Sequence, residues 1–240
     1  MKKNIAAFFD VDGTIYRDSL LIEIFKKLVK FGIIDEKYWV NDVKPKFLNW
    51  DNRHGTYDDY LLKLVEIYRY NISGFDKSII EHIAEQIVSE KGERVYTYAR
   101  DRIEWHKKQG HKVIAISGSP SLLVKPFVEM YGLDDFAATV YKYDTDNKFT
   151  NEVIPMWDNK SKQQVLKSFV EKYNIDVASS YAYGDTTGDI SMFNLTGNPT
   201  AINPNHELLD LIKNTSELKG KINIVVERKN VVYNIPIEDL

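Results

Sequence analysis

The strongest constraint on the fold is a set of short runs in which nearly every residue is apolar. A strand with one solvated face alternates apolar and polar residues, whereas a parallel strand buried on both faces is apolar throughout. Five runs of this kind occur along the 240 residues, at positions 5–9, 113–116, 181–183, 200–202 and 222–226. They predict the strands of a buried parallel sheet.

Helical patterns fill most of the spaces between these runs. Amphipathic spacing is found at 94–109, 121–131 and 161–173, and the first two segments end at Gly110 and Gly132, a residue type that commonly terminates helices. Strands that alternate with helices are typical of a parallel sheet covered on both faces. We therefore predict an α/β fold with a Rossmann-like parallel sheet as its core.

The segment 16–92 interrupts this alternation. Apolar residues recur there at helical spacing, as at Leu21, Ile24 and Leu28, and no run resembles a strand. The sequence therefore predicts an all-helical domain of residues 16–92, inserted into an α/β core formed by 1–15 and 93–240. A β-hairpin is expected at 140–153, around the polar residues 144–147.

Composition narrows the possible functions. The chain has no cysteine, which excludes thiolate chemistry, and its formal net charge of −3 gives no electrostatic basis for nucleic acid or an anionic membrane as the main partner. The first apolar run is too short for a signal peptide, and no stretch approaches the roughly 20 apolar residues needed to cross a bilayer. We therefore expect a cytoplasmic protein.

Two aspartates, Asp10 and Asp12, directly follow the first apolar run and precede Gly13. Ligands of parallel sheets collect beyond the carboxyl ends of the strands, so both carboxylates are expected at the mouth of a site. One is suited to nucleophilic attack and the other to proton transfer. A calcium loop is a weaker interpretation, because its glycine belongs at the sixth position and Gly13 is fourth. A solvated Asp-Gly turn is a third interpretation.

The segment Phe8-Phe9-Asp10-Val11-Asp12-Gly13-Thr14 resembles the first motif of the haloacid dehalogenase superfamily of phosphohydrolases. This resemblance implies that Asp10 attacks phosphorus as the nucleophile and that Asp12 protonates the leaving alcohol. It also implies three further motifs in a fixed order along the chain. The sequence supplies a match for each of them.

The second motif is matched by Ser117-Gly118, at the end of the second apolar run, where the hydroxyl and backbone N–H groups would bind phosphoryl oxygens. The third is a lysine near the start of a helix, which would neutralise the phosphoryl charge. Lys162 fits this place better than Lys160, because Leu166 follows Lys162 at the expected spacing.

The fourth motif follows the run at 181–183 and contains Asp185 and Asp189. The resemblance implies Mg²⁺ as the cofactor, held by the Asp10 carboxylate, the Asp12 main-chain carbonyl and the Asp185 carboxylate. Asp189 would orient metal-bound water or the lysine without binding the metal itself. Oxygen ligands and a phosphorylated substrate are the usual surroundings of Mg²⁺.

Together the four matches predict a Mg²⁺-dependent phosphatase that hydrolyses a small phosphorylated metabolite through an aspartyl-phosphate. A phosphotransferase or mutase would use the same residues, and a catalytically silent phosphate-binding protein would have the same fold, so both alternatives stay open. The sequence gives no indication of the oligomeric state.

The helical insertion resembles the cap of the phosphoserine-phosphatase-like branch of the superfamily. Phosphoserine phosphatases usually carry Ser at the position of Gly13, Gly-Gly at that of Gly118-Ser119 and Gly-x-Asn-Asp at that of Thr186-Thr187-Gly188-Asp189. These departures weaken the case for phosphoserine as the substrate. Arg53 in the insertion could bind a substrate carboxylate, although a surface arginine is the simpler interpretation.

Overall fold

A sheet of eight strands forms the centre of the computed structural model, which describes residues 3–239. The strands are β1 (Ala6–Phe9), β2 (Lys112–Pro120), β3 (Asp135–Tyr143), β4 (Phe149–Ile154), β5 (Tyr181–Gly184), β6 (Asn198–Ile202), β7 (Asn223–Arg228) and β8 (Val231–Ile235). Their order in the sheet is β4-β3-β2-β1-β5-β6-β7-β8. The six inner strands run parallel, and the edge strands β4 and β8 pair antiparallel with their neighbours.

The helices surround this sheet. They are α1 (Leu20–Lys30), α2 (Glu36–Tyr38), α3 (Lys44–Asp51), α4 (Tyr57–Ile72), α5 (Lys77–Lys91), α6 (Thr97–Lys108), α7 (Ser121–Tyr131), α8 (Asn159–Tyr173), α9 (Ile190–Leu195), α10 (His206–Asn214) and α11 (Ser216–Lys219). A π-helical turn, Trp39–Val43, joins α2 to α3. Within residues 3–239, no helix is both long enough and apolar enough to span a bilayer.

Both faces of the sheet are covered by helices. Ala7 and Phe9 of β1 belong to a buried cluster shared with α1 and α4 to α7, whereas Ala6 and Phe8 belong to a second cluster shared with α8 to α11. Because successive side chains of a strand face opposite sides, a run that is apolar at every position suits this environment. The predicted α/β fold with a Rossmann-like parallel sheet is therefore confirmed.

The segment 16–92 lies entirely within the described residues, and its helices are α1 to α5. The buried side chains of these helices are not isolated from the sheet, because Ile24 of α1 and Leu64 of α4 belong to the same cluster as Phe9 of β1. Since one core spans both regions, the division into a core of 1–15 and 93–240 and a cap of 16–92 stays a prediction.

The hairpin predicted at 140–153 is present as the antiparallel pair of β3 and β4. Asn147 in its turn has a φ of 58°, a left-handed conformation that asparagine tolerates. The turn between α4 and α5 bonds to this hairpin, because the N–H of Gly74 donates to the carbonyl of Phe149 and the N–H of Phe149 donates to the carbonyl of Phe75, both at 3.0 Å. The helical segment is thereby fastened to one edge of the sheet.

Candidate active site

The carboxyl ends of the three central strands bring distant segments of the chain together. β1 lies between β2 and β5 and is parallel to both. Asp10 directly follows β1, Gly118 and Ser119 lie near the end of β2, and Asp185 directly follows β5. Parallel strands end at one edge of the sheet, so these residues meet there as the sequence predicted.

Lys162 connects two of the acidic residues. Asp158 caps α8 by accepting a hydrogen bond from the N–H of Ser161 at 2.9 Å, which fixes the helix start just before Lys162. The Lys162 Nζ donates to Oδ1 of Asp10 at 2.6 Å and to Oδ1 of Asp189 at 2.7 Å. Burial alone would lower the pKa of Lys162, but these two carboxylates raise it above its ordinary value, so the ammonium stays charged.

Burial has the opposite effect on Asp10, which is 6% exposed. It raises the pKa of the Asp10 carboxyl; Lys162 opposes this rise, and the charges of Asp189 and Asp12 add to it. Oδ1 of Asp10 accepts the bond from Lys162, whereas Oδ2 accepts no hydrogen bond from the described residues. One oxygen is therefore held in place and the other is available to a ligand.

Asp12 is held through both carboxylate oxygens. Oδ1 accepts a hydrogen bond from the N–H of Leu20, the first residue of α1, and Oδ2 accepts one from the hydroxyl of Ser119, each at 2.6 Å. Burial raises the pKa of Asp12 to about 6, although the bonds from Ser119 and Leu20 act to lower it. A carboxyl group that titrates near neutrality is suited both to release and to accept a proton.

Asp185 approaches the loop that follows β1. Its Oδ1 accepts a hydrogen bond from the hydroxyl of Thr14 at 3.1 Å. Gly13 has a φ of +80°, and a Cβ at this position would lie 2.1 Å from Oδ2 of Asp185. Only a residue without a side chain fits here. Burial raises the pKa of Asp185 well above its ordinary value, and the charges of Asp10 and Asp189 add to the effect.

Asp189 is bonded both to Lys162 and to the loop after β5. Its Oδ1 accepts the bond from Lys162, and its Oδ2 accepts bonds from the N–H groups of Asp185 and Thr186, both at 3.1 Å. Asp189 is fully buried, and both of its oxygens are used by protein donors. It therefore orders the loop after β5 and fixes the position of Lys162.

The acidic residues fit a hard divalent cation. Carboxylate oxygens of Asp10, Asp185 and Asp189 lie within 4.8 Å of one another. With Asp12, the cluster contains four carboxylates and one ammonium, that of Lys162, which is bonded to two of them, so the ionised cluster has an excess of negative charge. Buried carboxylates at this density need protons or further positive charge. An oxygen-only donor set suits Mg²⁺.

A cavity of about 540 Å³ opens beside these residues. Its wall on the sheet side includes the five predicted site residues Asp10, Asp12, Gly118, Lys162 and Asp185. Its opposite wall comes from α1, α3 and α4 and consists mainly of apolar side chains: Leu21, Trp50, Tyr57, Leu61, Leu62 and Val65. The acidic centre therefore faces a chamber whose helical wall is largely apolar, with Asp58 of α4 as a charged residue in it.

Two predicted residues lie behind the cavity wall. Ser117 is fully buried; its hydroxyl accepts the N–H of Ser119 at 3.0 Å and lies 3.5 Å from Oδ2 of Asp12. Asp189 likewise does not line the cavity. The phosphate-binding role of Ser117 stays a prediction, and the structure places its hydroxyl closer to Asp12 and Ser119 than to open space.

The alternative lysine and the candidate arginine of the sequence analysis lie outside the cavity. Lys160 is exposed, and Arg53 is exposed at the end of α3; neither lines the cavity. Lys162 therefore occupies the place that the sequence analysis favoured for the lysine. Arg17, which the sequence analysis did not single out, does line the cavity.

Sequence reasoning also missed Ser119 and Thr14 as partners of the acidic residues. Both lie inside the segments that were singled out, but their bonds reach Asp12 and Asp185 across 107 and 171 residues. No local pattern reports such a partner. The departure of Ser119 from the glycine usual in phosphoserine phosphatases was the one signal that could have drawn attention to it.

The fold and the site define a protein with a Rossmann-like α/β core in which carboxylates and a buried lysine meet at the carboxyl ends of parallel strands. The sequence model of the haloacid dehalogenase-like hydrolase family matches residues 7–194. The chain belongs to this family.

Relatives include phosphatases. The inhibition of morphological differentiation protein of Streptomyces azureus is 26% identical over 204 residues, covering 85% of this chain and 73% of that protein. A histidinol-phosphatase of Neisseria meningitidis is 24% identical over 213 residues, covering 86% and 93%. A substrate-bound phosphoserine phosphatase structure has a TM-score of 0.61 at 22% identity, covering 96% and 95%. The resemblance to the phosphoserine-phosphatase-like branch is thus confirmed at the level of the fold.

Proposed function

We propose that the protein is a Mg²⁺-dependent phosphatase that hydrolyses a small phosphorylated metabolite through an aspartyl-phosphate. The observation that carries this proposal is the state of Asp10: one carboxylate oxygen is bound by Lys162, and the other is unbonded in a cavity that Asp12 also lines. A fixed nucleophile beside a proton-transfer group is what a two-step phosphoryl transfer requires.

In the first step, Oδ2 of Asp10 attacks phosphorus and forms an O–P bond while the bond from phosphorus to the alcohol oxygen breaks. Asp12 in its protonated form gives its proton to the departing oxygen. In the second step water attacks the phosphorus of the aspartyl-phosphate, Asp12 takes a proton from that water, and phosphate leaves. Asp10 is then regenerated.

Charge compensation makes the attack feasible. A phosphate dianion repels an approaching carboxylate, and Lys162 supplies a fixed positive charge beside Asp10. The Asp10 carboxylate, the Asp12 main-chain carbonyl and the Asp185 carboxylate would hold Mg²⁺. When bound, this ion would neutralise further charge on the phosphoryl oxygens.

The segment 16–92 serves in this proposal as a cap domain over a core of 1–15 and 93–240. Support comes from the cavity, because α3 and α4 of that segment supply most of its apolar wall. Closure of such a cap over a bound substrate would exclude water and strengthen the electrostatic contacts at the reacting centre. A cytoplasmic location, and a partner that is neither nucleic acid nor membrane, remain parts of the proposal.

The test uses p-nitrophenyl phosphate with Mg²⁺ and with a chelator. We expect metal-dependent phosphate release by the native protein and a loss of about a thousandfold or more in Asp10→Asn. Asp101→Asn, at a side chain that is 65% exposed, is the matched control and should keep native activity. Native turnover by Asp10→Asn, with its fold checked by circular dichroism, would refute Asp10 as the nucleophile. Added alcohols that receive the phosphoryl group would instead indicate a phosphotransferase.

A further inference from the structure

The cavity contains an aromatic corner formed by α3 and α4. The rings of Trp50 and Tyr57 lie 5.1 Å apart at 60°, and both line the cavity. Tyr60, which is 2% exposed, supports them from behind: its ring stacks on Trp50 at 6.0 Å and meets Tyr57 edge-on at 6.0 Å. The aromatic corner is therefore a firmly packed surface, and it is suited to contact with an apolar or cationic group.

Two carboxylates outside the reaction centre also line the cavity. They belong to Asp18, before α1, and Asp58, in the first turn of α4. Among the described residues, no lysine, arginine or histidine nitrogen lies within 4.0 Å of either carboxylate. Oδ1 of Asp18 accepts the N–H of Ser19 at 3.0 Å, but neither carboxylate is paired with a basic side chain among the described residues. Their negative charge creates a potential that favours a cation in the cavity.

Further acidic side chains near Asp58 add to this potential. Burial raises the pKa of Asp58, and the neighbouring charges of Glu207 and Asp59 raise it further. The charge of Asp18 in turn contributes to a raised pKa of Tyr57, for which burial is the largest cause. The charge of Asp12 acts on Tyr57 more strongly, and Asp18 adds to it, so both carboxylates make the surroundings of the aromatic corner more negative.

Arg17 is the one cavity-lining cation of residues 3–239 besides Lys162. It is exposed, and its guanidinium lies 5.9 Å from the ring centre of Tyr96, before α6. Its contact is thus with the sheet-side part of the molecule and not with the aromatic corner. A substrate carboxylate beside Trp50 and Tyr57 would meet Asp18 and Asp58 without a cation fixed at that place.

We propose that the leaving group is an alcohol that carries a cationic amine and an apolar or aromatic body, with the amine held by Asp18, Asp58 and the aromatic corner. This inference rests on the proposed phosphatase function and narrows its substrate class to phosphorylated amino alcohols. The apolar side chains Leu61 and Val65 extend the same wall along α4 and accommodate the body of the substrate.

The test compares two substrates that differ only in the amine. Phenylalaninol phosphate has a ring and an ammonium group, and phenylpropyl phosphate has the same skeleton without the ammonium. We expect kcat/KM to be at least about tenfold higher for phenylalaninol phosphate, the size typical of a partly desolvated cation contact. Phosphoethanolamine, which lacks the ring, and phosphoserine, which adds a carboxylate, should both be poorer substrates.

Variants assign this preference to the carboxylates. In Asp18→Asn and Asp58→Asn, the ratio of kcat/KM between the two matched substrates should fall toward one. Asp101→Asn is the control, because Asp101 is 65% exposed and does not line the cavity. Its ratio should equal that of the native protein.

The outcomes separate this inference from the function on which it rests. Equal kcat/KM for the matched pair, with Mg²⁺-dependent hydrolysis of both, would overturn the amine site and leave the phosphatase intact. A preference for phosphoserine that Arg17→Gln abolishes would overturn it in favour of carboxylate recognition. No Mg²⁺-dependent release from any of these compounds or from p-nitrophenyl phosphate would overturn the phosphatase function, and the amine site with it.

Discussion

The hydroxyl of Ser119 donates a hydrogen bond of 2.6 Å to Oδ2 of Asp12, the carboxylate proposed to transfer the proton. The N–H of Leu20 binds the other oxygen, also at 2.6 Å. Two donors on opposite oxygens fix the plane of the carboxyl group. The orientation of the Asp12 carboxyl group is therefore set by the protein itself.

We predict that Ser119→Ala lowers kcat by about tenfold, because Asp12 loses one of these two bonds and its orientation with it. The measurement is phosphate release at saturating substrate. Ser168→Ala serves as the control, since the hydroxyl of Ser168 bonds only within α8 at an exposed position. An unchanged kcat in Ser119→Ala would mean that the N–H of Leu20 and the Ser117 hydroxyl, 3.5 Å from Oδ2, suffice to orient Asp12.

Lys162 and Lys160 provide a matched pair of lysines, two residues apart at the start of α8. Lys162 is buried and bonded to Asp10 and Asp189, whereas Lys160 is exposed. We predict that Lys162→Met lowers kcat/KM by about a thousandfold, because the phosphate and Asp10 would then repel each other uncompensated. Lys160→Met should change kcat/KM by less than about twofold. Similar losses in both variants would indicate that general positive charge near α8, and not the bridge to Asp10, assists the reaction.

Much of this arrangement could be predicted from the sequence. The apolar run at 5–9 indicated β1 because a buried strand leaves its mark at every position, and Gly132 marked the end of α7. The strand end then placed Asp10 at the mouth of the site. For these elements the local sequence pattern was sufficient, because each is determined by residues that are adjacent in sequence.

The parts that could not be predicted depend on distant contacts. β8 was missed because its apolar residues, among them Val231 and Tyr233, are exposed and its strand lacks the alternation of a half-buried strand. The turn that precedes it has Lys229 at a φ of 57°, where glycine or asparagine is the usual signal. The cavity wall from α4 was missed for a similar reason, since helical spacing shows which face is apolar and not what that face meets.

Gly13 is predicted to be needed for the position of Asp185. In Gly13→Ala the added Cβ would clash with Oδ2 of Asp185, and the φ of +80° would add strain. We expect the Mg²⁺ concentration for half-maximal activity to rise, because Asp185 is displaced as a ligand. The free energy of unfolding should also fall by about 1–3 kcal/mol.

Gly32→Ala separates the effect of the clash with Asp185 from the effect of backbone strain. Gly32 has a similar φ of +72°, but a Cβ there would meet nothing within 4 Å. This variant should lose stability through backbone strain alone and keep the native Mg²⁺ dependence. Activity is titrated with Mg²⁺ for both variants. If the two gave the same Mg²⁺ concentration for half-maximal activity, the close approach of Gly13 and Asp185 would not be a requirement for metal binding.

His106 gives the protein a predictable loss of stability in acid. It is fully buried; its Nε2 lies 2.9 Å from the hydroxyl of Tyr183, and its Nδ1 lies 2.9 Å from Nδ1 of His111. Burial lowers the pKa of His106 from its ordinary value of 6.5 to about 3, and the charges of Arg102 and His111 add to the effect. The folded state therefore keeps this imidazole neutral over the whole range between the two values.

The sign of the effect follows from proton uptake. Between pH 6.5 and about 3 the unfolded chain binds a proton at His106 and the folded chain does not, so lowering the pH favours unfolding. This one group should reduce the free energy of unfolding by about 1.4 kcal/mol for each pH unit in that window. In His106→Gln, the free energy of unfolding, measured with urea at several pH values, should depend less steeply on pH. The difference in slope should correspond to about one proton. His54→Gln, at an exposed side chain with no acidic partner within 4.0 Å among the described residues, should keep the native slope. A slope in His106→Gln equal to the native one would mean that His106 is already protonated in the folded state, against its burial between Tyr183 and His111.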